Sequence, residues 1–70
     1  LMRVGEVKSG LNVRKAPSMD AEVMLILKRG QSVNINLAKS TTDFYYVASI
    51  VDGETKIAVH AFCKREVILE

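Results

Sequence analysis

The chain reads as a small all-β domain, one barrel of about five to seven short antiparallel strands. Three observations lead there. Apolar and polar residues alternate with a period of two, most cleanly over 32–37, where Val33, Ile35 and Leu37 stand against Ser32, Asn34 and Asn36. Turn formers recur every few residues, as Ser9-Gly10, Pro17-Ser18, Lys28-Arg29-Gly30 and Asp52-Gly53. No stretch sustains the apolar repeat of an amphipathic helix. A barrel also disposes of sheet edges that so short a chain has no second layer to cover.

The elements follow in order. Residues 3–7 predict a first strand leading into a turn at Ser9-Gly10. Leu11 and Val13 alternate with Asn12 and Arg14, giving a second strand over 11–14. Pro17 has a fixed φ and no N–H for a ladder, so 15–22 is a loop with Ser18 and Asp20 among its turn formers. A third strand runs over 23–28, in which Val23, Leu25 and Leu27 suffice for a core. Gly30 supplies the positive φ of the next turn, and 32–37 is a half-buried strand. The polar stretch 38–43 is a loop, and 44–51 is a long β-branched and aromatic run. Asp52-Gly53 signals a tight hairpin, and 55–61 returns. Residues 62–64 are expected to form a single 3₁₀ turn before 66–69 closes the sheet. There is no internal repeat and no low-complexity segment.

Seventy residues, 49% hydrophobic and 26% charged, make one globular domain over 1–70. A chain of this size buries only about 60% of the surface its unfolded form exposes. The single cysteine permits no intramolecular disulfide to reinforce the core. Because the chain starts at Leu1, it is expected to be a domain of a longer protein. The net charge of +2 is mild, and the adjacent bases, Arg14-Lys15, Lys28-Arg29 and Lys64-Arg65, fall at strand or turn ends. Nucleic-acid binding needs a basic stripe, so no nucleic-acid partner is expected. The longest apolar run, 23–27, is far short of the ~20 residues of a membrane span.

Catalytic chemistry is also not expected. His60 and Cys63 are the lone histidine and cysteine, and a structural zinc site needs about four ligands. The nearby carboxylates show no ligand spacing, and nothing pairs two of them across a cleft as glycoside hydrolysis requires. There is no glycine-rich phosphate loop. The expectation is therefore no catalytic residue, no metal and no cofactor, with Cys63 a small buried hydrophobe and His60 a partly exposed strand residue that has a second reading as a ligand contact.

The segment Leu11-Asn12-Val13-Arg14-Lys15-Ala16-Pro17-Ser18, followed by a valine-led run and Lys28-Arg29-Gly30, resembles the bacterial SH3 (SH3b) family. Members of that family tend to read LNVRxGPS and then KKG. The resemblance extends over about residues 5–69 and is most specific in the first half. Val59-His60-Ala61-Phe62-Cys63 falls on the first five positions of the family's VHxxYL segment, and Phe44-Tyr45-Tyr46-Val47 on its WYKV segment. The chain has no tryptophan: Phe44 stands at one position where the family has it and Ala58 at the other. The resemblance implies an SH3-like barrel and a non-catalytic module. Such modules are often attached to cell-wall hydrolases or surface proteins of bacteria and phages, outside the cytoplasm. There they bind peptidoglycan or cell-wall peptide, or dock a neighbouring domain.

Two surfaces follow. Aligned on WYKV, Tyr45 and Val47 point inward, while Phe44 and Tyr46 face out and can stack on sugar rings or a proline-rich peptide; alternatively they cover the other end of the core or pack beneath the 38–43 loop. Asn12 and Arg14 either fix the neighbouring loop and sheet or flank a ligand groove, where the guanidinium suits a carboxylate or an acetyl oxygen. The second surface is apolar. Met24 and Ile26 project away from the core, with Ile50 as an addition, and are expected to dock a neighbouring domain or a second copy.

Overall fold

A computed structural model describes residues 1–5, 11–65 and 68–69. Seven strands are present among them: β1 (Met2–Val4), β2 (Leu11–Arg14), β3 (Val23–Leu27), β4 (Ser32–Asn36), β5 (Phe44–Asp52), β6 (Thr55–Lys64) and β7 (Ile68–Leu69). A 3₁₀ turn, Leu37–Lys39, follows β4. All pairings are antiparallel, in the order β3-β2-β6-β5-β4-β1-β7. The expected all-β class holds. The expected turn at Ser9-Gly10, the end of the first strand at Val7, and Glu66 lie outside the described residues.

The connection between β3 and β4 explains why the sheet curls. Four strand spacings separate these two in the ladder, about 19 Å if the sheet were flat. Only residues 28–31 join them, and that link is closed on itself: Gln31 N–H donates to the Lys28 carbonyl at 3.2 Å, and Lys28 N–H to Gln31 Oε1 at 2.7 Å. Gly30 takes the left-handed conformation, φ 92°, that the turn needs. The sheet must therefore bend round until β3 approaches β4, a barrel-like half cylinder. Val4 N–H donates to the Gln31 carbonyl at 2.8 Å and ties β1 into the same corner.

The concave face holds the core, with Val4, Leu11, Val13, Leu27, Val33, Val47, Ile50, Ala61 and Cys63 in one cluster. These are aliphatic and small, and six strands contribute. Cys63 is fully buried, as expected, and burial pushes its thiol up to about 11. Asn34 donates to the buried Ser49 hydroxyl opposite it at 2.8 Å, which satisfies the one buried polar side chain among the described residues.

Several expectations fail, two of them through β-bulges, which insert one residue and reverse the inside–outside alternation beyond it. Ile50 is buried in the core, not on the outer surface. The β4–β5 register shifts between Asn34 and Ile35, so Val47 and Ile50, three residues apart, both face inward. Val23 is exposed, not in the core: the β2–β3 register shifts between Val13 and Arg14, and Val23 stands opposite Arg14 on the outer face. Residues 62–64 form no 3₁₀ turn. They continue β6, held in the ladder by pairing with 44–46 of β5 on one side and 13–14 of β2 on the other. The 3₁₀ turn instead occupies Leu37–Lys39, where Leu37 is exposed and Asn36 Oδ1 caps Lys39 N–H.

The hairpin signalled by Asp52-Gly53 forms, with its loop one residue later than that dipeptide. Asp52 pairs with Thr55, leaving Gly53-Glu54 as the loop, and only Gly53 has positive φ, the II′ pattern.

Candidate functional site on the outer face

The convex face carries a row of side chains across four strands. Directly opposed residues in an antiparallel ladder share a face. Arg14 on β2 pairs with Phe62 on β6, Phe62 pairs with Tyr46 on β5, and Tyr46 pairs with Asn36 on β4. Phe62 and Tyr46 meet edge to face, their centroids 5.3 Å apart and their planes at 79°. They are the centre of the site, and both remain partly open to solvent.

His60 joins them through a bulge. Between Val47–Ala61 and Ser49–Ala58 the register shifts, setting two residues of β6, Val59 and His60, against Ala48. His60 has φ 55°, the only positive φ among the described non-glycine residues. A side chain costs roughly 1–2 kcal/mol in that region, so neighbouring structure must hold it. The bulge aims the exposed imidazole at Tyr46, whose hydroxyl lies 3.0 Å from His60 Nδ1.

Two cations stand beside this group. Lys39 Nζ lies 5.1 Å from the centroid of the Tyr46 ring, within cation–π range. It is placed there by the capped 3₁₀ turn and by Ser40, whose hydroxyl donates to the Asn36 carbonyl at 2.9 Å and accepts from Tyr46 N–H at 2.8 Å. Arg14 is half-buried, and its Nη1 donates to the Ala21 carbonyl at 2.9 Å, fastening the 15–22 loop to β2. The loop's ends are joined by Lys15 N–H to the Glu22 carbonyl at 3.0 Å and by a Lys15–Glu22 ion pair at 3.0 Å.

Tyr46, His60 and Arg14 thus come together on one face, and Asn12 lies on the same face of β2, exposed and paired with Ile26. Phe44 does not join the exposed site. It is only 6% exposed, and alternation indicated its direction but not what covers it. It sits at the root of β5, where Thr41 N–H donates to its carbonyl at 2.8 Å and Arg65 N–H to the Asp43 carbonyl at 3.0 Å, drawing two chain segments together. Phe44 therefore offers no stacking surface. Tyr45 packs against the core as expected, with the Arg65 guanidinium 4.4 Å from its ring centroid.

Phe62 is the residue that sequence reasoning missed. The signal was present: His60 and Phe62 keep the outward period of a strand that simply continues. Met24 and Ile26 are 46% and 52% exposed, as expected for outward residues of β3.

Chemically, the row offers two aromatic faces, an imidazole and a phenol as hydrogen-bonding groups, and flanking positive charge. Among the described residues no three His, Cys, Asp or Glu side chains converge as metal ligands, and no helix is long and apolar enough to cross a membrane. Compared with family models, curated proteins and solved structures, the chain matches none.

Proposed function

We propose that this domain is a non-catalytic binding module of the bacterial SH3 kind, holding a larger bacterial or phage protein on the peptidoglycan of the cell wall. The observation that carries the reading is the outer-face group of Tyr46, Phe62 and His60, with Arg14 and Lys39 beside it. Aromatic faces suit the apolar faces of sugar rings, and the cations suit stem-peptide carboxylates and acetyl oxygens. The sequence resemblance in residues 11–18 and 28–30 supports the same conclusion. In this reading the domain works outside the cytoplasm, needs no cofactor, and leaves any catalysis to other parts of its parent protein.

The test is a pull-down with purified peptidoglycan from several bacterial species, using the natural sequence and a Tyr46→Ala/Phe62→Ala variant with unchanged circular dichroism. The reading predicts retention of the first and loss of the second. Failure of the natural sequence to bind any wall would overturn it. A second reading, docking to a protein surface through Met24 and Ile26, is favoured by their exposure on β3.

A further inference from the structure

All four basic residues in the described strands, Arg3, Arg14, Lys56 and Lys64, lie on the outer face by their ladder partners. The one acidic residue in those strands, Asp52, has the parity of the core residue Ile50 and accepts from Gln31 Nε2 at 3.3 Å. A net charge of only +2 therefore conceals a sheet surface of one sign, which draws anions.

The cations fall in two separate places. Arg14 belongs to the Tyr46–Phe62 row. Farther along the same face, Lys56 on β6 pairs with Val51 on β5, Val51 with Ser32 on β4, and Ser32 with Arg3 on β1. Lys56 and Arg3 are exposed, and neither pairs with a carboxylate among the described residues. Asn36 of the first row and Ser32 of the second are four residues apart on β4, so the rows are separated by about 13 Å. Between them the ladder sets Ala58, Ser49 and Asn34 side by side, an uncharged floor of small or amide side chains.

We infer that an acidic peptide lies along β5 on this face, its carboxylate end between Lys56 and Arg3 and its other end at the Tyr46–Phe62 row. The inference rests on the proposed function, in which that peptide is the stem of peptidoglycan and the sugar occupies the aromatic end. Length, hydrogen bonding and charge spacing all favour a peptide. Four extended residues span about 13–14 Å, the separation of the two rows. Asn36, Asn34 and Ser32 line one bank of the path, and side-chain amides and hydroxyls suit peptide N–H and C=O groups. A nucleic-acid strand, with a charge about every 3.4 Å in a duplex, would set phosphates over the uncharged floor. A carboxylate above Val51 stands one strand from Lys56 and two from Arg3, about 5 and 10 Å between backbones, within reach of both long side chains.

Calorimetric titration of the domain with two probes tests this: a muropeptide disaccharide carrying a tetrapeptide with a free terminal carboxylate, and the same disaccharide stripped of its peptide. The first should bind at least about tenfold more tightly. Lys56→Glu and Arg3→Glu should each weaken it about fivefold and leave the stripped disaccharide unchanged. That effect should shrink below about twofold near 1 M salt, where screening acts beyond about 3 Å. Lys56→Gln, which removes the charge without reversing it, should fall between parent and Lys56→Glu. Equal affinity for the two probes, or full affinity in both charge reversals, overturns the inference and leaves wall binding at Tyr46 and Phe62 in place. Tighter binding of an oligothymidylate than of the peptide-bearing probe also overturns it. Binding of neither probe overturns the proposed function, and the inference with it.

Discussion

His60 gives the sharpest physical test of the site's construction. Its φ of 55° places a side-chain-bearing residue where glycine is favoured, at a cost of roughly 1–2 kcal/mol. Replacement by glycine removes that cost. It also adds about 0.4–1 kcal/mol of unfolded-state entropy and loses the exposed 3.0 Å contact with Tyr46, worth no more than about 0.5–1 kcal/mol. These terms nearly cancel, so His60→Gly should lie within about 0.5 kcal/mol of the parent. His60→Ala keeps the strain and loses the contact, so it should fall below glycine by about 1 kcal/mol. At an ordinary strand position the order is the reverse, with alanine above glycine by about 0.5–1 kcal/mol. Urea titration of the three proteins, read at constant m, measures the sign. In a thermal melt, 1 kcal/mol corresponds to about 4–8 °C for a domain of this size. Alanine as stable as glycine, or more so, would refute the bulge geometry that aims the imidazole at Tyr46.

Other consequences follow from the core, the thiol and the hairpin. Leu27 is fully buried, so Leu27→Ala should cost about 2–5 kcal/mol, a large share of the total for 70 residues, and lower the urea midpoint accordingly. The Cys63 thiol, raised from 9.0 to about 11, stays protonated in the fold while an unfolded chain releases its proton, so it contributes stability below pH 9 that is lost as pH rises toward 11, up to about 2–3 kcal/mol. Unfolding measured against pH should therefore fall less steeply over that window in Cys63→Ala, and a maleimide should label native Cys63 only at the rate of unfolding. Gly53→Ala forces a side chain into φ 62° at the β5–β6 loop and should cost about 1 kcal/mol by thermal melting, with no loss of ligand binding.

Much of the fold was legible because alternation and turn chemistry are local. β2 and β4 declare themselves by strict period two, and Gly30 and Gly53 mark their turns correctly. Register is not local, and there the reading broke down. The bulges around Met24, Ala48 and Val59-His60 each reverse a face, so Val23 moved outward and Ile50 inward. The site is legible in part: Tyr46, His60 and Arg14 stand out by their chemistry and fall on one face, while Phe62 lies in a segment whose sequence suggests a turn. Phe44 failed for another reason, since strand parity says where a side chain points and nothing about the chain segments gathered at the strand's root.

The central claim is that the row formed by Arg14, Phe62, Tyr46 and His60 binds cell-wall material. Its most direct test is a two-dimensional ¹H–¹⁵N NMR titration of the domain with lysozyme-released muropeptides. The account predicts saturable shifts centred on Tyr46, His60 and Phe62 of β5 and β6, with Arg14 and Lys39 beside them. No shifts, or shifts gathered instead at Met24 and Ile26 on β3, would contradict it.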